Sequence, residues 1–400
     1  MASVPLIQAP ESADEHAQRN ASSAPPSTRT LAPSKVHLPA LDGVRAIAIL
    51  MVVVYHSLNG LPGMTFAQNV VMRLTSQGWL GVDLFFILSG FLITGILMDA
   101  RESAHALRNF YARRVLRIVP VYVLFLMFSL WLAGRIGTSS ADEVAQLHQT
   151  QGWYWTYTLN ILIALRNWSA ITLPTGHLWS LAIEEQFYLV WPLAVLLLSP
   201  LTLKRTALAC IAGAELCRLG FVLAGVDGHV NFVLLPTRMD TLAAGAFLAC
   251  AYRDPALWSR VLRARQSLSL LALVLVLATI LYRHTIDNQE SFEQLVFFPA
   301  TVALGVVIVS SAAAGSAWLS NRTLGFIARI SYGMYIWHVV VIRLIMTKVS
   351  APITEVPQAW WTYYAVMTGG TIAGTVFVAW LSWRLVERPI LSLKRFVPSA

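Results

Sequence analysis

The chain has 400 residues, 56% of them hydrophobic and only 12% charged, with a formal net charge of +9. A soluble domain carries roughly 25% charged residues, so this composition excludes an ordinary soluble globule and points to an integral membrane protein. The positive excess is spread over the loops between apolar runs rather than gathered on one basic domain, which speaks against nucleic-acid binding.

Residues 1–36 are rich in Ala, Ser, Pro and charges and hold no sustained apolar run. Such a segment buries too little surface to fold alone, so a disordered cytoplasmic tail is expected there; it also lacks the basic and apolar regions of a signal peptide. A membrane domain is expected over residues 37–392, followed by a short cytoplasmic tail at 393–400. Within that domain, runs near the roughly 20 residues needed to cross the hydrocarbon recur at about 41–58, 79–98, 115–133, 179–199, 206–225, 231–251, 268–282, 295–314, 324–347 and 361–385. The predicted fold class is therefore all-α, a polytopic membrane protein of about ten transmembrane helices. Arg101, Arg108, Arg113, Arg114 and Arg117 fall in the same set of alternate loops as Lys204, Arg205 and the arginines from Arg253 to Arg265. Arg322 and the C-terminal Arg384, Arg388, Lys394 and Arg395 complete that set, and the bias puts both termini in the cytoplasm. The connection 134–178 is then extracytoplasmic, and its stretch WYWTYTLNILIALRNW reads as an interfacial aromatic segment rather than an eleventh span. Cys210, Cys217 and Cys250 lie in predicted spans without metal-site or disulfide spacing, so they are structural and no metal is expected.

Ionisable residues inside spanning helices are costly in lipid and normally face a bundle interior or a watery cavity, so they mark candidate sites. The first span, LDGVRAIAILMVVVYHSL, holds Arg45 and His56. Eleven helical steps bring the chain round to within roughly 20° of its starting direction and about 16 Å further along the axis, so the two share a face at different depths. Arg45 also suits a snorkelling arginine at a helix end. His56 is either a proton acceptor near neutral pH or a hydrogen-bonded interior histidine. Asp83 follows in the second span. At the mouth of the third, Arg113, Arg114 and Arg117 offer planar forks that match phosphate oxygens, although topology alone also accounts for arginines there.

In the fourth span Glu184 and Glu185 are adjacent and point about 100° apart, so both are not expected to face one cavity. One can orient or pair with a histidine, while the other binds a hydroxyl or braces a neighbouring helix; His177 before them reads as interfacial. Arg238 and Asp240 in the sixth span are two residues apart and cannot face each other, so each needs a partner elsewhere. Together with Asp83 they are either acceptor-side walls or structural charge pairs. His338 in the ninth span either joins His56 or ties two helices together. By depth, Arg45 and the arginines at 113–117 form an inner group, and His56, Asp83, Glu184, Glu185, Asp240 and His338 a middle or outer one.

Five strings occur in order: LDGVRAIAILMVVVYH, GWLGVDLFFILSGFLIT, FYARRVLRIVPVY, HLWSLAIEEQFYLVWP and ISYGMYIWH. Together, from about Leu41 to Pro389, they resemble the acyltransferase-3 family of membrane acyltransferases. The resemblance implies an acyl-CoA-dependent O-acyltransferase of the inner (cytoplasmic) membrane, multi-pass, moving an acyl group, commonly acetyl, onto an extracytoplasmic hydroxyl. The acceptor is then a cell-surface polysaccharide or other envelope glycan, or a small molecule such as a macrolide. It implies acyl-CoA as co-substrate, with no bound cofactor. In this setting His56 is the candidate base, with Glu184, Glu185 and His338 as its catalytic companions, and Arg45, Arg113, Arg114 and Arg117 hold the phosphates of acyl-CoA. The donor nucleotide would stay inside while its pantetheine arm carries the thioester outward. The alternative is a transporter or flippase-like protein using the same buried groups as a proton relay; only Gly369 and Gly370 interrupt a span, without the counterpart an inverted repeat requires.

Overall fold

With no water in the hydrocarbon, a spanning segment must satisfy its backbone internally, and the chain does so with helices. A computed structural model describes residues 38–58, 65–132, 134–135, 139–171, 175–282, 290–348 and 357–397, without the side chains of 279–282, 290–294 and 357–359. The tail expected at 1–36 lies outside the described residues, as do the last three of 393–400.

The helices run α1 Pro39–Leu58, α2 Phe66–Thr75, α3 Leu80–Asp99, α4 Ala106–Trp131, α5 Ala141–Trp155, α6 Leu159–Arg166 and α7 Leu178–Leu197. They continue with α8 Pro200–Leu223, α9 Gly228–Val233, α10 Leu235–Tyr252, α11 Pro255–Tyr282, α12 Glu290–Ala313, α13 Arg322–Met346, α14 Pro357–Ser382 and the short α15 Arg388–Ser392. Among the described residues, ten helical stretches are long and apolar enough to cross a membrane, as the hydropathy pattern predicts. Two details differ. The sixth span is not one rod: Leu234 is extended (φ −87°, ψ 141°) between α9 and α10, and Pro236 sits in the first turn of α10, where its missing N–H costs nothing. α11 begins well before residue 268, because Arg260, Arg263 and Arg265 lie on its polar first turns and conceal it from a hydropathy window. The connection after α4 folds as α5 and α6, neither of them a candidate span, and Tyr154, Leu159, Leu162 and Ile163 are buried against the rest of the core. α5 begins with a capping box in which Ser140 and Glu143 satisfy each other's backbone N–H groups.

Helices in a bilayer gain most from close van der Waals packing, which small residues permit. α3 and α10 cross at Gly90 and Gly245, where a Cβ on either residue would lie 1.9 Å from the carbonyl oxygen of Leu242 or Ile87 respectively. α1 packs between α3 and α13, and α14 packs against both α13 and α1, with Ile49, Val53, Ile330, Met334 and Ala379 buried together. The core so formed brings α1, α3, α4, α7 and α13 around one internal space.

Candidate active site

That space is a cavity of about 190 Å³, and its polar lining is contributed by Arg45, Ser89, Arg114, Arg117, Ser180, Glu184, Tyr188, Ser331, Tyr332 and Tyr335. Arg114 and Arg117 reach it together because residues three apart share a helix face. Arg113, one step round, does not line it; its Nη2 donates to the Val397 carbonyl at 2.7 Å and ties α4 to the C-terminal segment. The expected group of three arginines is thus divided by helix geometry. Arg114 is steadied by the ring of Tyr188, 4.8 Å from its guanidinium carbon. Arg45 pairs with Asp42 one turn back at 3.1 Å.

The two glutamates separate as their angular spacing requires. Glu184 enters the cavity and accepts hydrogen bonds from Ser89 Oγ (3.1 Å) and the Tyr188 hydroxyl (2.8 Å). Glu185 does not line the cavity, and its Oε1 is buried without a hydrogen-bond partner among the described residues. The structure therefore moves Glu184 from the outer group to the arginine side. Its partners are hydroxyls, and among the described residues neither glutamate bonds to an imidazole, so the expected carboxylate–histidine pair is not found there.

At the other end of the cavity stands Tyr335. Its hydroxyl meets Ser180 Oγ at 2.7 Å and donates to the His177 carbonyl. Directly behind it three imidazoles pack edge to face, His177 to His338 and His338 to His56, each with ring centroids 4.9 Å apart. His177, which reads from sequence as interfacial, is buried in this cluster. The missed signal was its place at the head of the HLWSLAIEEQ string, one residue before α7.

The hydrogen-bond partners fix which nitrogen of His56 is basic. His338 Nδ1 lies 2.7 Å from the Tyr335 carbonyl, which can only accept, so that nitrogen carries the proton and Nε2 holds the lone pair. His338 Nε2 faces His56 Nδ1 at 3.3 Å, and the same His56 Nδ1 lies 2.9 Å from the Val52 carbonyl. Two acceptors around His56 Nδ1 require N–H there. The lone pair of His56 consequently sits on Nε2, which has no protein partner among the described residues. His338 is completely enclosed, whereas His56 is partly exposed. Of the two, His56 presents the accessible basic nitrogen, and His338 fixes its tautomer.

The remaining candidates form buried charge pairs. Arg238 donates to Asp83 across from α10 to α3, and its guanidinium lies over the Phe298 ring at 4.3 Å. Asp240 pairs with Arg218 of α8 at 2.8 Å. Arg218, which no sequence motif singles out, also bonds Glu215 and the Thr237 carbonyl. Asp83 also borders a second, nearly apolar cavity between α1, α3 and α12; none of these charges reaches the arginine-lined one. Among the described residues no group of three or more His, Cys, Asp or Glu side chains is arranged to hold a metal ion.

Comparison with known proteins bears on what such a cavity does. The chain is 29% identical over 381 residues to the peptidoglycan O-acetyltransferase OatA of Listeria monocytogenes, covering 90% of this chain and 57% of that one. It is 28% identical over 384 residues to YrhL of Bacillus subtilis, provisionally named a peptidoglycan O-acetyltransferase, covering 88% and 55%. The chain thus spans little more than half the length of these relatives. No solved structure matches it. The acyltransferase-domain profile of the acyltransferase-3 family matches residues 38–380, a range that holds all the cavity-lining residues and all three imidazoles. The chain belongs to the acyltransferase-3 family of membrane acyltransferases.

Proposed function

We propose that the protein is a membrane O-acetyltransferase, taking an acetyl group from acetyl-CoA at the cytoplasmic face and placing it on a hydroxyl of an envelope glycan on the other. The observation that carries this reading is one cavity with three guanidinium groups at one end and, beyond Tyr335 at the other, an accessible imidazole nitrogen. Arginine forks suit the pyrophosphate and 3′-phosphate of CoA, and the loop charges support a cytoplasmic arginine end. The names of the relatives support a sugar hydroxyl as acceptor.

In the reaction His56 Nε2 takes the proton of the acceptor hydroxyl as its oxygen attacks the thioester carbonyl carbon. The tetrahedral intermediate collapses with cleavage of the C–S bond, and the proton held by His56 passes to the departing CoA thiolate. The products are the O-acetyl ester and free CoA thiol, and His56 is returned to its neutral form. His338, bonded through its own Nδ1 to the Tyr335 carbonyl, keeps the attacking-side nitrogen unprotonated before the reaction.

Donor titration in membranes, reading transfer of labelled acetyl to a glycan fragment, tests the assignment. Arg114→Ala is expected to raise KM for acetyl-CoA roughly tenfold or more through loss of a charge-assisted contact. Arg114→Lys should recover only part, because an ammonium lacks the planar fork. Arg113→Ala should change the donor KM little, since that side chain is committed to Val397. An unchanged donor KM in the Arg114 variants would remove the arginine end from donor binding.

A further inference from the structure

The second cavity, about 420 Å³ in volume, shares no lining residue with the arginine-lined one and uses another face of α1 and α3. Val44, Ile47 and Met51 of α1 border it, and so do Thr301, Leu304 and Ser311 of α12. Each set keeps the spacing of a single helix stripe, so the cavity is a slot that runs along the helices.

The slot has the depth of one leaflet. Ser311 to Thr301 is ten residues of α12, roughly 15 Å at 1.5 Å per residue, about half of the ~30 Å of hydrocarbon. Its shallow end is at the Arg45 end of α1, where the Leu319 carbonyl is pressed against Gly43. Toward the deep end, Leu80 and Asp83 border it beside the middle of α1, since Gly81 between them abuts the Ala48 carbonyl. Asp83 is ion-paired with Arg238, so its charge is balanced there. Leu304, on the lining, is 41% exposed, and the slot therefore opens sideways onto the surface that faces the bilayer. An apolar space excludes water, and the medium at this surface is hydrocarbon.

The shallow end carries a charge. Arg265 of α11 donates from Nη1 to Ser311 Oγ at 3.1 Å and from Nε to the Leu262 carbonyl at 3.0 Å, which fixes its guanidinium beside the mouth. Among the described residues no carboxylate pairs with it. Trp318, 70% exposed on the same rim, is an amphipathic ring of the kind that settles at headgroup level. A basic group between spanning helices, at the end to which the loop charges assign the cytoplasm, suits a lipid phosphate.

We propose that the slot binds one anionic phospholipid of the leaflet on the arginine side, with one acyl chain lying along α1 and α12 and the phosphate against Arg265 beside Trp318. The site is separate from the cavity assigned to acetyl transfer and does not depend on that reading.

Photolabelling of the full chain in phosphatidylcholine vesicles tests it, with a trace of either phosphatidylglycerol or phosphatidylcholine carrying a diazirine midway along one acyl chain. Label is expected on Leu84, which lines the slot yet is only 7% exposed, so lipid that merely covers the outer surface does not reach it. The anionic probe should label Leu84 about fivefold more strongly, the scale of one basic residue at a lipid surface. Arg265→Gln should bring the two probes level. Val307→Trp, which puts bulk into the slot and leaves Arg265 in place, should remove the Leu84 label from both. Inorganic phosphate added at millimolar concentration should leave the labelling unchanged; if it erases the difference between the probes, Arg265 holds a free anion and the lipid assignment fails. Equal labelling by both probes in the wild-type protein, a preference that survives Arg265→Gln, or no label on Leu84 from either probe would overturn the proposal. Should either variant fail to accumulate, the comparison of the two probes on the wild-type protein decides.

Discussion

His56→Ala is expected to lower acetyl transfer by about 10²–10⁴, the usual contribution of a positioned general base, while protein level and thermal midpoint stay near wild type. The reason is the division of labour around the ring. Nδ1 is engaged by Val52 and His338, so the helix and its neighbour hold the imidazole in place, and Nε2 is left for chemistry. Because His56 stands behind Tyr335 and does not line the arginine-bearing cavity, the loss should appear in kcat with the acetyl-CoA KM little changed. His338→Ala should cost less, since it removes the tautomer-setting partner and leaves the base itself. Initial rates at matched protein amounts check this, and a His56→Ala variant that transfers acetyl at the wild-type rate would take His56 out of the mechanism.

Asp83→Ala is expected to destabilise the protein by about 3–5 kcal/mol, the cost of leaving a buried charge without its partner. Arg238 is fully enclosed and has Asp83 as its ion-pair partner, with the Phe298 ring as its nearest aromatic face. Asp240→Ala should be milder, because Arg218 retains Glu215. Replacing both members at once, Asp83→Ala with Arg238→Met, should recover much of the loss, since an apolar pair leaves no orphaned charge in the core. Thermal unfolding of detergent-purified protein reads all three. A single Asp83→Ala variant as stable as wild type would show that the pair is not a structural clamp and would reopen its role as part of a site.

The sequence made the helices legible because the bilayer imposes a length and an apolar composition that few other constraints imitate. The arginine–histidine spacing on α1 was legible for the same reason, as helix geometry alone puts Arg45 and His56 on one side. Adjacent Glu184 and Glu185 were known to diverge, but the direction of each depends on how α7 is rotated against α3 and α4, which no local pattern records. Arg113 was indistinguishable from Arg114 until the fold set Val397 beside it. The partners of Arg238 and Asp240 lie on α3 and α8, far off in sequence, so the need for partners could be inferred and their identity could not. His177 escaped because it sits at a helix entrance that looks interfacial, whereas the fold buries it in the imidazole cluster.

The central claim is that one cavity joins a cytoplasmic donor to an acceptor on the opposite face. Sealed vesicles of known orientation, given acetyl-labelled acetyl-CoA on the arginine side only and a membrane-impermeant glycan fragment on the other side only, test it directly. The account predicts that the fragment becomes labelled, that the label is an ester, and that His56→Ala vesicles fail to produce it. Labelling only when both substrates share one side, or movement of the glycan across the membrane without acetylation, would contradict it.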